Sequence, residues 1–242
     1  MRPSIVQLRQ FYSSRLGRKV KQRLRLAVVE RWAEQSEEPV IGIGYTPPIM
    51  RVLERSSNAP SLALMPANQG AIYWPVHSTN RSLLADELMP PFAPNTLHRV
   101  LMLHAFEHVV RPNELLAVYW QMLAPGGRLL LLIPNRRSYW SSFSHTPFAR
   151  GTPYSMAQVK ELLAEANFTL RDSATILYGW PGEGRIAQTL WGALEWVGSW
   201  CFPGFGGVLI VEAEKQIYAS VPEMAASRVR KWASANAPVS AA

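Results

Sequence analysis

The sequence has a single cysteine, Cys201, so neither an internal disulfide nor a cysteine-built metal site is available to it. A lone cysteine in such a chain reads as a small apolar side chain, buried or half-buried. No stretch reaches the about 18 consecutive apolar residues that read as a membrane-crossing helix. The chain opens on Arg2 and polar residues rather than on a charged and then apolar signal segment. These absences lead to the expectation of a soluble, cytoplasmic protein. Acidic residues are nearly missing from the first 33 positions, where Glu30 stands alone.

Against that single acid stand Arg2, Arg9, Arg15, Arg18, Lys19, Lys21, Arg23, Arg25 and Arg31. The net charge of +8 is therefore a property of the leading segment, because the remaining residues carry sixteen groups of each sign. With 242 residues, 48% of them hydrophobic, the chain can bury one α/β core with some decoration.

Residues 4 to 34 read as helical. Leu8, Tyr12, Leu16, Val20, Leu24 and Val28 recur every four residues beside the cations, and Gly17 is the expected point of division. Val40 to Gly44 is a short buried-strand run ending in a glycine turn. Pro47 and Pro48 suit the opening of a helix continuing to Arg55. Strands are expected at 61–65, at 82–85 ending on Asp86, and at 99–103. A helix at 113–123, a Pro125-Gly126-Gly127 turn and a strand at 128–133 follow. Ser155 caps a helix to Ala166, and a strand covers 169–178. A tryptophan-rich insert at 179–206 holds a helix at 185–200, and the last strand is 207–218. A helix after Pro222 and an Ala-, Ser- and Pro-rich tail complete the chain.

This alternation predicts a mostly parallel seven-stranded sheet with helices on both faces, preceded by a basic amphipathic helical extension at 1–38. The α/β domain spans 39–220, and 221–242 form the terminal helix and disordered tail. In such sheets a ligand lies beyond the carboxyl ends of the strands, so the loops after Ile43, Asp86, Leu103 and Ile133 should line one pocket.

The run Val100-Leu-Met-Leu-His104-Ala-Phe-Glu107-His108-Val109 is followed by Pro112, Leu115-Leu116, Leu123-Ala-Pro-Gly-Gly-Arg-Leu129 and Pro134-Asn135. Together with Gly42-Ile43-Gly44 and Leu84-Ala85-Asp86, it resembles the class I S-adenosylmethionine-dependent methyltransferases of type 11. The resemblance runs from Val40 to Phe168 and is most specific over 99–135. It implies a Rossmann-like fold, S-adenosylmethionine as cofactor, and cofactor contacts from Gly42, Gly44, Tyr45, Met65, Asp86, Leu103 and His104. His108, Asn135 and Arg137 are the implied acceptor-side residues, and the expected acceptor is a small molecule. No catalytic side chain is nominated and no metal is implied, since such a transfer depends mainly on positioning two reactants.

The cofactor half departs from the pattern. Val40 stands where the family carries an acid, Thr46 where it has a third glycine, and Leu64-Met65-Pro66 supplies no carboxylate for the ribose. Asn68 or Gln69 are the neutral substitutes. An inactive relative that keeps the fold as a binding or regulatory partner is thus a second reading. A third is a zinc peptidase, because His104, Glu107 and His108 also spell H-x-x-E-H, a motif that must lie on one helix. The basic helix could pack its Leu and Val stripe against the sheet or over the pocket, or meet an anionic membrane surface or RNA. The insert's Trp180, Trp191, Trp196 and Trp200 read as core or as a homodimer contact, and the resemblance leaves open that the insert shapes the acceptor site.

Overall fold

The computed structural model describes residues 2–32, 38–53, 61–182, 184 and 189–216. Expectations for 54–55, 185–188, the end of the last strand and everything beyond it lie outside these residues. Two helices lead the chain, α1 (Ile5–Ser13) and α2 (Arg15–Trp32). Ser4 and Gln7 close a reciprocal capping box at the start of α1. The break falls at Ser14 rather than Gly17. The Ser14 hydroxyl accepts from the Gly17 N–H and so begins a second helix, whereas Gly17 itself is helical. It is glycine for another reason: a Cβ there would be driven into the Phe11 carbonyl, where α1 turns back on α2.

The sheet is built from β1 (Val40–Gly44), β2 (Leu62–Pro66), β3 (Ser82–Ala85), β4 (Leu97–Leu103), β5 (Leu123–Pro134), β6 (Phe168–Ile176) and β7 (Val208–Lys215). Their spatial order is β3-β2-β1-β4-β5-β7-β6. The first five are parallel, and β7 runs antiparallel to both β5 and β6. Pro125-Gly126-Gly127 lies inside β5, where the register with β4 shifts between Leu97 and Arg99. A Cβ at Gly127 would approach the Ala124 and Leu97 carbonyl oxygens to 2.8 and 2.9 Å, so the irregularity needs glycine.

Strands covered on both sides alternate between two apolar layers. Leu101, Leu103, Leu130, Leu132 and Ile210 meet α1, α2 and α3 (Pro47–Leu53). Val100, Met102, Leu129, Leu131 and Val211 meet α4 (Pro112–Met122) and α5 (Met156–Glu165). The whole predicted stripe from Leu8 to Val28 is buried in the first layer. The insert carries α6 (Trp191–Cys201), held by Trp140, whose Nε1 donates to the Gly179 carbonyl at 3.0 Å. The expected burial of Cys201 fails, since it is exposed, and the core reading of the insert tryptophans holds for Trp191 alone: α6 turns Trp196 and Trp200 outward, and Trp180 precedes it, 45% exposed.

Candidate functional site

The chain passes from β1 to β2 to β3 and then crosses to β4 on the other side of β1. The carboxyl ends of β1 and β4 therefore feed loops that part in opposite directions, which opens a cleft. Gly44 ends β1 with a φ of 85°, and the Tyr45 N–H donates to the Leu103 carbonyl at 2.8 Å. His104 follows β4 with a φ of 54°, a conformation that is costly outside glycine and that turns its ring inward.

The ring of His104 is fully buried in a polar chain. Its Nδ1 lies 3.1 Å from Glu107 Oε1 and its Nε2 2.9 Å from the Tyr12 hydroxyl. Burial opposes the charge on Glu107, but the His104 hydrogen bond and the fields of both histidines bring its pKa below the ordinary value. Burial, with Tyr45 and Glu107 nearby, raises that of Tyr12. An ionised Glu107 can only accept, so the His104 Nδ1–H donates to it.

Tyr12 belongs to α1, and α1 lies in the cleft. Arg2 Nη1 donates to Asn68 Oδ1 and its Nη2 to Glu87 Oε1, both at 2.5 Å. The Ile5 N–H donates to the Gln69 carbonyl at 2.8 Å, Leu8 is fully buried, and the Tyr12 ring lies 5.5 Å from that of Tyr45. Beyond Arg2 a cleft of about 530 Å³ remains open, lined by Asn68, Asp86, Glu87, Leu88, His108 and Arg111 among others. Several buried polar atoms in the loops after β2 and β4 have no hydrogen-bond partner: Gln69 Oε1, Glu107 Oε2 and His108 Nε2. Atoms of this kind grouped at one end of a sheet fit a polar ligand.

The sequence-predicted residues fall in different places. Asp86 and His108 line the open cleft; Asp86 Oδ1 also accepts from the Leu88 N–H at 2.8 Å, which fixes the turn. Tyr45 and His104 meet α1 through Tyr12, and Gly44, Leu103 and Met65 are packed at the buried strand ends. Gly42 makes room for α3 rather than for a ligand, since a Cβ there would strike Thr46 Oγ1 and Met50 Sδ. Asn135 and Arg137 line no part of the cleft. The Asn135 amide donates to the Gly204 and Gly206 carbonyls at 2.9 and 2.8 Å, tying down the insert, and Arg137 lies over the Phe205 ring. Arg2, Tyr12 and Glu87 were not anticipated. Glu87 is signalled by its place beside Asp86, whereas Arg2 and Tyr12 carry no local signal. The peptidase reading fails on geometry: His104 closes a strand and Phe106–His108 is one turn of 3-10 helix, so the motif does not lie on a continuous helix.

His108 gives this site a measurable acid response. Burial pushes its pKa down to about 4; Glu107 opposes the shift, and His104 and Arg2 reinforce it. In the unfolded chain the ring takes its proton near 6.5. Between those values only the unfolded chain binds the proton. The contribution to stability is complete above about pH 6.5 and shrinks as the pH falls toward 4, by roughly 2 kcal/mol after discounting for partial solvent screening. Glu107, whose folded pKa is also lowered, begins to add its own loss as the pH falls below about 4.5. Urea melts at both ends of this window should show a His108→Asn variant with a much flatter dependence; an unchanged slope would place the acid response elsewhere.

No family model matches the chain, and no curated protein matches it. Solved structures do. A methyltransferase from Thermotoga maritima that depends on S-adenosylmethionine is similar over 88% of this chain and 96% of its own, with a TM-score of 0.63 and 15% identity. One from Archaeoglobus fulgidus is similar over 85% and 96%, at 0.59 and 18%. The geranyl diphosphate C-methyltransferase of Streptomyces coelicolor, solved with Mg2+, geranyl diphosphate and S-adenosylhomocysteine, is similar over 82% and 81%, at 0.58 and 12%. At these identities the likeness is one of fold: the chain has the Rossmann-like α/β architecture of these methyltransferases.

Proposed function

We propose that the protein is an S-adenosylmethionine-dependent methyltransferase acting on a small-molecule acceptor. The observation that carries this reading is the polar cleft at the carboxyl ends of β2, β3 and β4, where Asn68, Asp86 and Glu87 converge beside Leu88 and Val109. Its volume falls in the range of small-molecule sites. Asp86 and Glu87 are acceptors suited to an adenine amine and ribose hydroxyls, with Asn68 as the neutral partner after β2. Leu88 and Val109 offer apolar contact to a flat base. The methionine end would then lie along Gly44, Tyr45 and His104, where Arg2 and Tyr12 now stand, so the N-terminal arm must yield for the whole cofactor to seat. The bound cofactor supplies an electrophilic methyl group to an acceptor nucleophile. The chain positions the two reactants and keeps water from them.

Calorimetric titration with S-adenosylmethionine and S-adenosylhomocysteine tests this directly. Saturable binding below millimolar concentration is expected, weakened about tenfold in Asp86→Ala, the worth of one hydrogen bond to a charged acceptor. Unchanged affinity in that variant would remove Asp86 from the site. The filling of the methionine half by Arg2 and Tyr12 favours one alternative, a protein that keeps the fold for binding partners and has lost the cofactor. No binding at millimolar ligand would sink the enzyme and leave that alternative standing.

A further inference from the structure

Helix α6 is amphipathic in the wrong sense for a surface helix. Its inward line is Trp191, Glu195 and Gly198, the last packed so tightly that a Cβ would strike the Tyr178 ring. Its outward face is Leu194, Trp196, Val197 and Trp200, with Trp196 72% and Trp200 80% exposed. Phe202 and Phe205, 60% and 45% exposed, extend the same surface toward β7. Surface helices of soluble proteins turn such residues inward, and a contiguous patch of this kind marks an interaction site.

The rim of the patch is cationic. Lys19 Nζ lies 5.8 Å from the Trp191 ring centroid, and Arg137 lies 5.0 Å from that of Phe205. Arg15 on α2 and Arg136 beside Arg137 are exposed. The one acid between positions 190 and 206, Glu195, faces inward, accepting from the Gly179 N–H at 3.1 Å and lying 3.6 Å from Arg23. An apolar face with two outward indoles, ringed by lysine and arginine and with no outward acid among the described residues of α6, has the composition of an element that lies in a bilayer interface.

We propose that the outward face of α6 docks on an anionic lipid surface, with Trp196 and Trp200 entering the headgroup region and the cations of α2 and of the 136–137 turn meeting lipid phosphates. The aliphatic members of the face favour hydrocarbon over nucleic acid. Leu194 and Val197 give a base nothing to stack on, whereas they add to the area removed from water at a membrane.

The test uses the full chain and vesicles of phosphatidylcholine with and without about 30 mol% phosphatidylglycerol. Cosedimentation is expected with the anionic vesicles, weakening as salt is raised. A Trp196→Ser/Trp200→Ser variant should keep its melting temperature, since both rings are exposed, and lose about tenfold or more in partitioning. Arg15→Glu with Arg137→Glu should cost about fivefold per charge on anionic vesicles alone. The proposal is overturned if the tryptophan variant partitions like the parent, or if neither vesicle binds. It is equally overturned if the parent is a dimer that the tryptophan variant converts to monomer without vesicle binding, or if the patch retains RNA and not lipid.

Discussion

Arg2→Ala is expected to tighten binding of S-adenosylmethionine about tenfold while lowering the melting temperature by about 5 °C. The two effects share one cause. Arg2 places its guanidinium between Asn68 and Glu87, and the side chains of the Arg2–Glu87 pair are only 7% and 9% exposed. A hydrogen bond to a charged group contributes about 1.5 to 3 kcal/mol. A ligand that needs Asn68 and Glu87 must first give up that stabilisation, and about 1.4 kcal/mol of it corresponds to the tenfold. Without a ligand the same substitution leaves Glu87 unpaired at the mouth of the cleft, costing about 1 to 2 kcal/mol, with some 2 to 4 °C of melting temperature per kcal/mol in a chain of this size. His108 supplies an internal check, because Arg2 is one of the groups that hold its pKa down. In Arg2→Ala the His108 resonance should titrate at higher pH. Weaker cofactor binding in this variant would show that the arm closes over the ligand instead of competing with it.

The parts of the molecule that the sequence made legible are those whose cause is local. β1, the 100–103 run of β4 and the 129–133 run of β5 are continuous apolar segments because both faces of a parallel sheet are covered, and such segments read the same way in isolation. Leu8 to Val28 was readable as a buried stripe for a similar reason, although Tyr12 within it looked like core and proved to be the hydroxyl partner of His104. The errors lie where a contact joins distant positions. Gly42 suggested close approach of a ligand, but its neighbours are Thr46 and Met50. Asn135 stood at the expected rim, yet its amide is taken by a turn some seventy residues later in the chain. Arg2 reaches Glu87 across a separation no periodicity encodes. Of the readings of the insert tryptophans, the core one fails for Trp196 and Trp200. Tryptophan is highly buried on average, and that average hides a helix that turns two of its rings outward.

Gly44→Ala is expected to cost about 3 kcal/mol or more, lowering the melting temperature by about 10 °C. Two penalties combine. A φ of 85° is open to glycine and costs other residues about 1 to 3 kcal/mol. The new Cβ would also be driven into the Leu103 carbonyl oxygen, the atom that accepts from the Tyr45 N–H at 2.8 Å. Since both obstacles are backbone, no rotamer change relieves them. Gly42→Ala makes the contrasting case: its Cβ meets the Thr46 and Met50 side chains, and Met50 can move, so about 1 to 2 kcal/mol is expected. The difference bears on function because Gly44 ties the carboxyl end of β1 to that of β4 where the cleft begins. Spreading those ends displaces Tyr45 and the start of the His104 loop together. Gly44→Ala should therefore lose cofactor affinity at temperatures where it is still folded, whereas Gly42→Ala, acting on the far side of β1 through α3, should lose stability alone. Urea melts paired with calorimetric titration separate the two, and equal losses of affinity in both variants would refute this division of labour between the glycines.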